Sequence, residues 1–143
     1  MMHLSDSEFA QQFEVCTLNP TLFTHEAHLR LAWIHVKQYG VVEAVQHICP
    51  QIAGYDRVFG DGTKYHQTVT IASLQVIDHF IRKSKSATFA DFMIEFPRLR
   101  THFREILAQH YSIDIFKDAR AKTQYIEPDT LPFDREIDAR LLV

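Results

Sequence analysis

The chain has 143 residues, 46% of them hydrophobic and 23% charged, and carries a formal net charge of −3. That length can bury a core without staples, the charge offers no field for nucleic acid, and no run approaches the roughly 20 apolar residues of a membrane span. Cys16 and Cys49 lack C-x-x-C spacing, and the start has no basic segment followed by an apolar one, so free thiols in a cytoplasmic protein are expected.

Ser5-Asp6-Ser7-Glu8 reads as a capping box opening a short helix with Phe9, Phe13 and Val15 on one face. Asn19-Pro20 breaks it. Thr24 is the N-cap expected for a second helix over about residues 25–39, with Glu26 complementing its positive end. Its apolar stripe is Leu29, Ala32, Trp33, Val36 and Tyr39, and Gly40 ends it. Residues 41–59 continue the helical period through Val42, Val45, Ile48, Ile52, Tyr55 and Phe59, and Pro50 is expected to kink or split this run.

Gly60-Asp61-Gly62 is a turn, after which a fourth helix is predicted from about Tyr65 to Lys83, with Val69, Ser73, Ile77, Phe80 and Ile81 inside. Thr88 caps a short helix carrying Phe89, Phe92, Met93 and Phe96, and Pro97 ends it or links it to the next. Leu99, Phe103, Ile106 and Leu107 predict one further helix ending near His110-Tyr111, and a brief one is expected over Ile113 to Lys122. The segment Glu127-Pro128-Asp129-Thr130-Leu131-Pro132 should be extended. Alternating strand patterns are lacking. The expectation is an all-α single domain, a bundle of about five principal helices, with its core over about residues 5–123 and an extended tail over 124–143.

The nine histidines carry most of the functional signal. Helical phasing turns His25, His28, His66 and His110 inward, while His35 and His47 look solvent-facing, His3 is terminal, and His79 and His102 sit beside their apolar stripes. His25 and His28 are three residues apart on one helix, which sets their Cβ atoms roughly 5–6 Å apart on one face. Buried imidazoles need a partner for each ring nitrogen. A shared divalent metal, zinc or iron, would supply it; so would separate backbone carbonyls, which would make each histidine an ordinary core residue.

Around a metal formed by His25, His28, His66 and His110, Tyr65 and Tyr111 could donate protons, and Glu127 could fold back with Asp129 to add a carboxylate. Lys64 and Arg120 could hold an anionic substrate, and the small polar Thr70 and Ser73 leave room for a ligand or ordered water.

Three stretches, Phe23-Thr24-His25-Glu26-Ala27-His28-Leu29-Arg30-Leu31-Ala32-Trp33, Lys64-Tyr65-His66-Gln67-Thr68-Val69-Thr70 and His110-Tyr111-Ser112, resemble a family of short uncharacterised bacterial proteins. Ala119-Arg120 and Glu127-Pro128-Asp129 extend the likeness over most of the chain. The resemblance implies functional histidines at His25, His28, His66 and His110. It also implies a glutamate where this chain has Gln67, and often a tryptophan where it has Ala72-Ser73. If that glutamate is a base or metal ligand, Gln67 alters the site; if it caps a helix, glutamine replaces it well. No settled activity comes with the family.

Three functions fit this reading. The first is a metal-dependent hydrolase or oxygenase acting on a small organic substrate. The second is a non-catalytic module holding a small ligand or haem between helices. The third is an interaction protein with structural histidines, docking a partner through Leu141, Leu142 and Val143. Eleven phenylalanines are compatible with a homodimer without requiring one.

Overall fold

The computed structural model describes residues 3–137; Leu141, Leu142 and Val143 lie outside the described residues. Its described elements are eight α-helices and one 3-10 turn, with no strand among them, packed as one bundle. Helix α1 spans Asp6–Glu14 and opens with the reciprocal capping box: the Glu8 amide donates to Ser5 Oγ, and the Ser5 amide donates to Glu8 Oε1. Phe9 and Phe13 are buried, but Val15 is the residue after the helix and is 57% exposed, so it does not share their face. Arg30 fastens α1 to the next helix through Asp6 at 2.9 Å and the Leu4 carbonyl at 2.7 Å, with its guanidinium over Phe9.

Helix α2 spans His25–Tyr39, capped by Thr24 as expected. It is the central element. Besides Leu29, Ala32, Trp33 and Val36 it buries Leu31, Ile34 and His35, so its apolar surface is wider than one stripe, while Tyr39 emerges at 42% exposure. Gly40, at φ 82 and ψ 167, turns the chain directly into α3, Val41–Phe59. That backbone region is essentially reserved for glycine. Helix α3 is not split at Pro50; the carbonyl of Gln46, which loses its amide donor there, belongs to an exposed residue that water can reach. Phe59 at its end is exposed.

Helix α4 spans Gln67–Lys83, two residues later than the expected start, because His66 is the N-cap. Helix α5 spans Phe89–Glu95 with Thr88 as cap. The single helix expected after Pro97 is two short ones, α6 (Arg98–Thr101) and α7 (Phe103–Ala108), divided at His102, whose φ of −134 leaves the helical region. Of the stretch from Ile113 to Lys122, only α8, Ala119–Thr123, is helical and Asp118 caps it.

The described part of the tail, residues 124–137, is extended but belongs to the core. Ile137 is 4% exposed within the main hydrophobic cluster, and Tyr125, Ile126 and Phe133 pack against it. Thr68 on α4 accepts from the Ile126 amide and donates to the Gln124 carbonyl, while Gln75 Nε2 donates to the Tyr125 hydroxyl. Farther along, His79 Nδ1 meets Asp134 at 2.8 Å. None of the helices is long and apolar enough to cross a membrane among the described residues.

Candidate functional site

Helices α2, α3 and α4 do not close fully against each other. Between them and the α6–α7 segment lies a cavity of about 660 Å³. Its floor is aliphatic: Leu29 and Ala32 of α2, Ile48 of α3, Leu74 and Ile77 of α4 and Leu107 of α7 line it and are buried. Val69, Thr70 and Ser73 add a partly exposed wall, and so explain the expected inner stripe of α4. Of that stripe, Val69, Ser73 and Ile77 face this space, while Phe80 and Ile81 do not line it and are only partly buried; the most deeply buried side of α4 carries Ile71, Ala72, Leu74, Gln75, Val76 and Ile77. The mouth is polar. His25, His28, Arg100, Thr101, His102, Arg104 and Glu105 line it and are exposed.

Two of the four emphasised histidines therefore reach the cavity, at its mouth. They are exposed there, and not core residues. His25 Nε2–H donates to the Leu99 carbonyl at 3.3 Å, leaving Nδ1 free. His28 Nδ1–H donates to the Thr24 carbonyl at 2.8 Å, leaving Nε2 free, and its ring stacks on Phe23 at 3.7 Å. Surrounding protein lowers the His28 pKa through desolvation, which favours neutral imidazole. His102, set aside by phasing, joins them at the mouth.

His66 and His110 have other duties. His66 Nδ1 accepts the Val69 amide as an N-cap, and Nε2–H donates to the Ile115 carbonyl at 2.8 Å. Both ring nitrogens are spent, so His66 has none left for a metal. Desolvation is the main cause lowering its pKa. His110 is buried, stacked on Phe133 at 4.1 Å, and donates from Nδ1 to the Leu131 carbonyl.

This geometry gives no support to the expected zinc or iron centre. Among the described residues no group of three or more His, Cys, Asp or Glu is placed to hold a metal ion, and no histidine cluster of that size forms. Each of the four imidazoles instead bonds a backbone carbonyl, His28 that of its own helix cap and the other three those of distant segments.

No family model, curated protein or solved structure matches this chain.

The remaining expected site residues are dispersed. Lys64 and Tyr65 give their amides to the buried Asp56 carboxylate, at 2.8 and 3.0 Å, which pins the loop entering α4. The Tyr65 hydroxyl donates to Gln67 Oε1, so Gln67 bonds a phenol on the loop preceding its own helix. Burial, with the Cys49 thiol beside it, raises the Tyr65 pKa, which makes it a poor proton donor. Tyr111 donates to the Ile126 carbonyl, and its pKa is likewise raised by burial and by neighbouring Tyr125. Burial pushes Tyr125 up to about 12. Glu127 and Arg120 are exposed and do not line the cavity, so Glu127 does not fold back over it. Thr70 does line it, with its hydroxyl donated to the His66 carbonyl.

The His110-Tyr111-Ser112 and Glu127-Pro128-Asp129 motifs form a structural clamp. Asp129 accepts from the Ser112 amide at 2.8 Å and from the Ser112 hydroxyl, and the Asp129 and Thr130 amides both donate to the His110 carbonyl.

His35 is the other correction. It is 6% exposed, not solvent-facing, and its Nδ1 is buried without a hydrogen-bond partner. Its ring lies 5.7 Å from those of Tyr39 and half-buried His47, at the α2–α3 contact. Desolvation, then His47, pushes its pKa down to about 4.

Proposed function

We propose that this protein is a small-ligand binding module whose site is the cavity between α2, α3, α4 and the α6–α7 segment. The observation that carries the reading is the pairing of an aliphatic floor with a polar mouth around about 660 Å³. Ligand sites are typically clefts of roughly 300–1,000 Å³, mostly apolar, with a few polar groups that set orientation. An apolar body would displace weakly held water from the floor, while the free nitrogens of His25 and His28 and the mouth arginines meet a polar end.

The test is displacement of a fluorescent apolar probe, with Ser73→Phe as the blocking variant. Ser73 lines the cavity and is half-buried, so a phenyl ring there fills space at small cost to folding. Saturable probe binding that Ser73→Phe abolishes, with an unchanged helical spectrum, supports the reading. Equal binding by both proteins removes it. A Soret band in the purified protein would instead assign the cavity to haem.

A further inference from the structure

The polar mouth of the cavity is not neutral in its chemistry. Arg104 lines it, and its guanidinium lies over the ring of Phe116, another lining residue, at 4.0 Å. A guanidinium held over a ring face by cation–π attraction keeps its N–H donors available to a planar or tetrahedral anion. No acidic side chain forms a salt bridge with Arg104 among the described residues. Its neighbours differ: Arg100 is paired with Glu26 at 3.4 Å, and Glu105 is the one carboxylate among the lining residues.

The same cavity is lined by aliphatic side chains, among them Leu107 on the helix that carries Arg104 and Ile77 on α4. A cation at the entrance of a hydrocarbon-lined space matches a molecule with a charged head and a hydrocarbon body. A methylene occupies about the 30 Å³ that a water takes in the liquid. A chain of about ten carbons with its head therefore fits the cavity volume with room to spare.

We infer that the cavity takes an anionic amphiphile, its carboxylate or phosphate head held by Arg104 and its hydrocarbon chain lying on the α2–α4 floor. This rests on the reading of the cavity as a ligand site and names the ligand class. Arg104 is the residue that selects the charge of the head. The imidazoles of His25 and His28 flank the same mouth, each with one nitrogen not engaged by a backbone carbonyl.

Calorimetric titration with decanoate, decyl phosphate, decanol and decylamine, at one salt concentration, tests it. One or both anions should bind about tenfold or more tightly than decanol, the worth of one charge-assisted hydrogen bond. The tighter of the two anions identifies the head. Arg104→Gln should remove that advantage while leaving decanol binding within about twofold, and Arg104→Lys should restore part of it. Arg104 is exposed, so these variants keep the fold, which a thermal melt verifies. Decanol or decylamine binding as tightly as the anions, or an anion preference that survives Arg104→Gln, overturns the head assignment while the cavity reading stands. Failure of all four to bind sinks the cavity reading itself.

Discussion

His35 gives the sharpest quantitative expectation. Its folded-state pKa of about 4 lies below the ordinary histidine value of 6.5, so the folded protein resists protonation where the unfolded chain accepts it. The sign follows: the contribution is whole above about pH 6.5 and is lost progressively as pH falls toward 4. At about 1.4 kcal/mol per unit, the full loss is about 3 kcal/mol, of which roughly 2 kcal/mol or a little more has gone by pH 4.5. Little solvent screens a ring that is 6% exposed. Leucine at this position removes the titrating group and the unpartnered Nδ1 together, and replacing an unsatisfied polar group by an apolar one of similar shape is near neutral or stabilising. His35→Leu should therefore match or exceed the parent by up to about 1 kcal/mol at pH 7 and exceed it by about 2–3 kcal/mol at pH 4.5. Urea unfolding at both pH values, followed by the single buried Trp33, measures this. A difference between the two proteins that stays constant from pH 7 to pH 4.5 would refute the reasoning.

Other expectations follow from single contacts. His66→Ala removes the α4 N-cap and the Ile115 tie and should cost about 1–2 kcal/mol, with His66→Asn recovering the cap portion; an unchanged denaturation midpoint for His66→Ala contradicts this. Tyr55→Phe orphans the carbonyl of the fully buried Leu18, to which Tyr55 donates at 2.8 Å, and should lower stability by about 1–2 kcal/mol in the same assay. Gly40→Ala forces a side chain into a backbone region natural to glycine and should cost about 1–3 kcal/mol, visible as a lower melting temperature. Asp129→Ala opens the tail clamp, so the Ser112 and Ile126 amides should exchange hydrogen faster while the middle of α2 stays protected.

What could be read from the sequence was local chemistry. Ser5, Thr24 and Thr88 cap the helices they precede because a cap needs only a side-chain oxygen and the next three residues. Gly40 stops α2 for an equally local reason. Pro50 does not split α3, and His102 divides a helix that periodicity alone would continue, because its own backbone leaves the helical region. Other features depend on residues far along the chain. The tail reads as polar and extended, yet Thr68 and Gln75, more than 48 positions earlier, hold it to the core.

The site follows the same division. His25 and His28 both line the cavity mouth, but they are exposed there and are not turned into the core as phasing implies. Phasing could not show that His66 would spend both nitrogens on Val69 and Ile115, or that His110 would bond Leu131. For His35, a narrow stripe was the wrong template, because α2 is covered on more than one side. The Arg104–Phe116 pair has no sequence signature because it is made across a loop. The run of arginines at positions 98, 100 and 104 was the available signal, and nothing in it marked one as facing a cavity.

The central claim is that the space between α2, α3 and α4 admits a hydrocarbon chain. Methyl NMR during titration with decanol tests it without involving the head group. Methyl signals of Ile48, Ile52, Ile77 and Leu107, which line the cavity, should shift together and saturate, while those of buried Ile71 and exposed Ile94, which do not line it, stay in place. No saturable shift at the lining methyls, or shifts as large at Ile94, would contradict the account.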